Sequence, residues 1–157
     1  MTAAEDKFSV SLLTHRYCPE SIKKMNISFA EYNKLMESFR NLDQENKDAA
    51  YQISVQAIAW QDWYSSLQNI IAYIIKSIDT DRNARIAYIC QTCGEKSITK
   101  AEKVALMDDD VVVMKKQKAI AEAIYGLLDD KVKILEKVFY FCRTICSQQG
   151  GDQIQQR

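Results

Sequence analysis

The chain is poor in glycine, nearly without proline, and carries a single histidine: 4, 1 and 1 in 157 residues. Scarce Gly and Pro argue against an all-β fold, whose many tight turns rely on both. Four glycines, two of them adjacent at Gly150-Gly151, also exclude a Walker-type or dinucleotide-binding loop, because those loops need spaced glycines to bring backbone N–H groups onto phosphate. His15 is the one imidazole, so a Ser/His or Cys/His nucleophile pair has a single possible base. A surface histidine without a role is the simpler reading. Net charge is absent too: 21 Lys and Arg face 21 Asp and Glu. No global field draws the protein onto nucleic acid or a membrane, and anion binding must come from local segregation of charge. The longest wholly apolar run, residues 70–75, is closed by Lys76 and falls far short of the ~20 residues of a membrane span. No basic start followed by an apolar block opens the sequence, so a soluble, cytoplasmic protein without a secretory leader is expected. Five cysteines, an odd number, fit reduced thiols better than a disulfide framework.

What the sequence does have is helical periodicity. Residues 1–27 show no sustained period and contain Pro19, so an irregular arm is expected there. Ser28-Phe29-Ala30-Glu31 has the capping-box pattern, which predicts a helix start. The polar stretch 41–48 either ends that helix or forms a solvated face of a longer one. Trp60, Tyr64, Leu67, Ile71, Ile74 and Ile78 follow in alternating steps of four and three, which predicts a helix from about Asp48 to about Ile89 with one stripe against a partner. Gly94 marks a turn. Thr99-Lys100-Ala101-Glu102 is a second capping box, and Asp108, Asp109 and Asp110 suit the positive end of a helix.

The next stripe is the longest: Val113, Gln117, Ile120, Ile124, Leu127, Lys131, Ile134, Val138, Phe141 and Ile145, flanked by Ala121, Leu128, Leu135 and Cys142. Gly150-Gly151 ends it, leaving residues 150–157 as a polar tail. The expected fold is all-α: a long antiparallel helical hairpin over residues 28–149 with an extra N-terminal helix and coiled-coil-like packing. Two helices alone cannot bury stripes this wide, so a homo-oligomer is expected.

Little looks catalytic. Asp108–Asp110 and Asp129-Asp130 are runs of adjacent carboxylates, which point to different sides of a helix and do not converge on a magnesium ion. Cys90-Gln91-Thr92-Cys93 has the spacing of half a zinc knuckle, and Cys142 and Cys146 could complete it. In an antiparallel hairpin, however, the two pairs stand roughly 45 Å apart at 1.5 Å per residue. Cys142 and Cys146 read better as small apolar residues on a packed face, and no metal or cofactor is expected.

The basic residues offer more. Arg82, Arg85 and Tyr88, three apart, give one helix face two guanidinium forks and a ring, suited to phosphate oxygens and to an unpaired base. Lys96, Lys100 and Lys103 lie near the turn, and Lys115, Lys116 and Lys118 near the start of the next long helix. A hairpin brings these groups toward one end. Solvated helix charges are the ordinary alternative.

The segment Asn83-Ala84-Arg85-Ile86-Ala87-Tyr88, then Gly94, then Val104-Ala105-Leu106-Met107-Asp108-Asp109-Asp110-Val111, with Trp60 upstream, resembles the UvsY-like recombination mediators of tailed phages. The resemblance spans Tyr51 to Cys146. It implies a non-enzymatic factor of DNA recombination and DNA repair that binds single-stranded DNA, assembles into rings, and helps load a RecA-like recombinase onto strands coated by single-strand binding protein. The location implied is the host cell cytoplasm. Arg85 matches the family's DNA-contacting arginine. Asn83 stands where the family has its first basic residue, with Arg82 one position off. The rival reading is a helical protein–protein adaptor or inhibitor that binds no nucleic acid and grips a partner helix.

Overall fold

The computed structural model describes residues 19–148 of the chain. Among them are four α-helices and no strand: α1 (Pro19–Arg40), α2 (Lys47–Thr92), α3 (Ile98–Leu106) and α4 (Asp109–Gln148). The all-α expectation holds. These helices pack as two units, one of Asn69–Gly126 and one of residues 20–68 with 127–148. In each unit α2 and α4 are antiparallel. The first pairs Asp79 with Lys118 and Arg85 with Asp108; the second pairs Gln68 with Asp129 and the Lys47 carbonyl with the Cys146 thiol.

Local chemistry explains the boundaries. α1 begins at Pro19 and not at Ser28, so part of the stretch expected to be irregular is helical. Proline suits a first turn, where its missing N–H would have had no partner. The Ser28–Glu31 box lies inside that helix. Residues 1–18 with His15, and the tail with Gly150-Gly151, lie outside the described residues. The polar stretch after Arg40 ends α1, and the Asp43 carboxylate accepts the Glu45 N–H at 3.0 Å within the turn. Asn46 then caps α2 by accepting the Ala49 N–H at 3.0 Å. No glycine or proline interrupts the 46 residues of α2. It gives way at Gly94, whose φ of 73° is a backbone state that L side chains reach only with strain.

α3 starts at Ile98, just ahead of the second capping box. Ser97 is its N-cap, although only the Ser97 carbonyl is engaged, accepting the Ala101 N–H at 3.0 Å. A short break at Met107-Asp108 separates α3 from α4. The aspartate run acts as expected: Asp108 accepts the Val111 N–H at 3.3 Å, and Asp109 and Asp110 fill the first turn.

The unit of residues 20–68 with 127–148 is a three-helix packing around Tyr64, which is fully buried. Phe29 stacks on Tyr64 at 6.0 Å and Tyr32 meets it edge-on at 5.9 Å. Leu128, Leu135 and Cys142 supply the fully buried side chains of α4. Burial of each large apolar side chain contributes about 1.5–3 kcal/mol. Lys131, a lysine on the apolar seam, lies with its Nζ 3.8 Å from the Tyr32 ring centroid and 5.0 Å from that of Phe29. Two ring faces thus substitute for the water it loses.

The α2 stripe is as expected, with Tyr64, Leu67, Ile71, Ile74 and Ile78 buried and Trp60 half-buried. On α4 the buried row is Val111, Met114, Gln117, Ala121, Ile124, Leu128, Leu135, Val138, Cys142 and Ile145. The residues read as a flank are the centre, while Val113, Leu127, Ile134 and Phe141 remain exposed. Among the described residues no helix is long and apolar enough to cross a membrane.

Candidate nucleic-acid interface

All nine residues singled out for nucleic-acid contact lie in the unit Asn69–Gly126. Its α2 stripe runs Ile71, Ile74 and Ile78, with Arg82 four residues further on and Arg85 three beyond that. Arginines follow where the apolar run stops: Arg85 is answered by Asp108 and Asp110 of the facing segment, and Arg82 by Asp79 of its own helix.

Arg85 forks onto Asp108. Its Nε–H donates to Oδ1 at 3.2 Å and its Nη2–H to Oδ2 at 3.0 Å, and Asp110 adds a second carboxylate at 3.3 Å. Two parallel bonds of this kind match the planar guanidinium to the planar carboxylate. Asp108 therefore serves two ends at once, capping α4 and clamping α2. The Arg85 hydrogen bond holds the Asp108 carboxyl below its ordinary value, and the same bond raises the guanidinium. The Arg85 Cζ also lies 6.0 Å from the Tyr88 ring centroid. That ring is 58% exposed.

Asp79 is the second anionic partner. It lies 2.6 Å from Lys118 and 4.0 Å from Arg82, and Lys118 also reaches Glu122 at 3.6 Å. The Asp79 hydrogen bond, with the charges of Asp79 and Glu122, lifts the Lys118 ammonium above its usual range. Beside this group are two buried polar atoms without a hydrogen-bond partner among the described residues, Arg82 Nε and Gln117 Oε1.

The other five lysines are exposed and make no ion pair among the described residues. Lys96 is in the connection before α3. Lys100 and Lys103, three apart on α3, face away from Ala101 and Ala105, the two residues by which that helix is buried. Lys115 and Lys116 lie on the solvent side of α4. The structure thus divides the expected cations. Arg82, Arg85 and Lys118 are turned toward carboxylates of their own unit, while five lysines and the Tyr88 ring face outward. Glu95, Glu102 and Asp109 are exposed among them.

No family model, no curated protein and no solved structure matches the chain.

Sequence reasoning missed Asp79 and the second task of Asp108 and Asp110. The signal for Asp79 was present, since an acid three residues before Arg82 is a helical ion pair. Pairing of Arg85 with Asp108 depends on hairpin register, which no local pattern encodes. Of the four cysteines in the zinc alternative, Cys90 and Cys93 belong to one unit and Cys142 and Cys146 to the other. Among the described residues no three His, Cys, Asp or Glu side chains gather to hold a metal. Cys142 is buried as a small apolar residue, and burial pushes its thiol up.

Proposed function

We propose that the protein binds single-stranded nucleic acid as a non-enzymatic accessory factor, in the manner that the resemblance to UvsY-like recombination mediators implies. In this reading it helps place a RecA-like recombinase on strands held by single-strand binding protein. One observation carries it: within a single unit an exposed tyrosine, backed by a guanidinium, is accompanied by five lysines that no carboxylate engages among the described residues. The ring supplies a stacking surface for an unpaired base, and the lysines supply a sequence-independent attraction for phosphates. Assembly into a ring, as the same resemblance implies, would repeat each patch and add avidity to modest single contacts.

Labelled oligo-dT titrated at several salt concentrations tests the proposal. Replacing Lys96, Lys100 and Lys103 together by Ala should lower affinity and flatten the slope of log K against log salt by about 2, since each phosphate contact contributes about 0.7 for single strands. Tyr88→Ala should weaken binding by about tenfold or more with the slope unchanged, because it removes stacking and not charge. Wild-type protein that does not bind at low salt would end the reading.

A second reading, a helical protein–protein adaptor, is favoured by a different observation. Ile98 and Met107, at the two ends of α3, are each 79% exposed, and Leu106 is exposed beside them. Exposed apolar side chains at both ends of a lysine-bearing helix suit a partner segment that is both apolar and acidic. Binding unaffected by salt or by oligo-dT would belong to that reading.

A further inference from the structure

The surroundings of Arg85 have the composition of an occupied phosphate site. A guanidinium presents its fork to two oxygens 3.0–3.2 Å away, a second anionic group stands at 3.3 Å, and an aromatic ring centroid lies 6.0 Å from its Cζ. Phosphodiester oxygens bound by arginine take the same bidentate geometry. Here both anions are side chains of the chain itself. We infer that Asp108 and Asp110 are intramolecular phosphate mimics, an autoinhibitory clamp that withholds Arg85 until a strand displaces them.

Three features favour a displaceable clamp over a permanent structural bond. The clamp is open to water, with the Asp110 side chain 67% exposed and that of Arg85 36% exposed, so an incoming anion reaches it without unfolding the helices. Asp108 has another occupation, the Val111 N–H at the start of α4, which it keeps when the arginine leaves. The exposed α3 lysines stand in the same unit as the clamp and bring a polyanion to that unit before the exchange. Exchange of carboxylate for phosphate releases no net charge from the protein. It costs affinity in proportion to the strength of the clamp, so weak binding to short or sparse strands is suppressed while long strands, engaging several contacts, overcome it. The neutral overall charge then reflects selectivity and not lack of affinity.

The inference rests on the single-strand reading, and the test separates the two. Asp108→Asn with Asp110→Asn removes both charges. Asparagine keeps the N-cap, since it is as good a capping residue as aspartate. The double variant should bind oligo-dT about five- to tenfold more tightly at about 50 mM salt, with a slope steeper by about 0.7, as one more phosphate contact forms. The same pair of substitutions on an Arg85→Ala background should give no gain. Asp110→Asn alone, at an exposed site that caps nothing, should give a smaller gain in the same direction; it keeps the test available if the double variant fails to fold. Wild-type binding with no gain in either variant overturns the clamp and leaves the function standing. A gain that persists without Arg85 is a general charge effect and overturns it as well. Absence of binding in every variant removes the single-strand function and the clamp with it.

Discussion

The two units use one spacing and two chemistries. Between residues 47–68 and 127–148 the seam is aromatic and apolar, with Tyr64, Leu128 and Leu135 wholly buried. Over Asn69–Gly126 the four-and-three steps carry isoleucines only as far as Ile78; Arg82 follows beside Asp79 of its own helix and Arg85 opposite Asp108, with Gln117 and Lys118 completing a polar layer. Apolar burial needs no partner chemistry and tolerates salt. Ion pairs half-open to water are weak and exchangeable, because solvent screens them and any competing anion sees the same guanidinium. A protein that must hold its shape and still yield a cation to a ligand gains from keeping these two seams in different places.

The contrast breaks most visibly at Leu135. Leu135→Ala leaves a cavity in the apolar seam and should cost about 2–5 kcal/mol by denaturant unfolding. A loss below about 1 kcal/mol would mean that this seam relaxes freely and is no firmer than the charged one.

The helix periods were legible, and so was the facing of α2, but that of α4 was not. Trp60 to Ile78 could be read because nothing in α2 competes with one narrow stripe. On α4 two neighbouring rows are both apolar, and only the position of α2 decides between them: Leu128, Leu135 and Cys142 go in, Leu127, Ile134 and Phe141 stay at the edge. The Ser28 box misled because a capping pattern does not exclude an earlier start, which Pro19 provides. At the candidate site, residue types and location were readable from local sequence. The engagement of Arg85 and Lys118 was not, since cross-helix carboxylates are set by register.

Lys131 sharpens the comparison from inside the apolar seam. Desolvation lowers its ammonium below the usual lysine value of 10.5. A folded value below the unfolded one means that the unfolded chain binds more protons in that window. Stability from this group therefore rises as pH climbs from the folded value through 10.5, the reverse of Lys118, whose raised value makes its contribution fade above that range. Lys131→Met should remove the rise and leave the protein at least as stable at pH 7, by less than the Leu135 effect. Chemical denaturation of both proteins between pH 7 and about pH 10 reads the difference. A loss of stability at pH 7 would mean that the rings of Phe29 and Tyr32 more than compensate the buried charge.

The smallest effect concerns ion pairs that lie on no seam at all. Lys34 and Glu31 meet at 2.7 Å on α1 with side chains 70% and 45% exposed. Lys34→Ala should change stability by no more than about 0.5 kcal/mol, because an exposed helical pair gains little over its solvated charges. Lys118→Met removes a cation from between Asp79 and Glu122 at the edge of the polar layer, where its side chain is 28% exposed. It should cost more than Lys34→Ala in low salt and converge toward it as salt rises, since screening weakens the pairs that Lys118 alone possesses. Equal effects at every salt concentration would show that the polar layer contributes no more than ordinary surface charge. Arg82, Arg85 and their carboxylates would then be decoration on a hairpin held elsewhere.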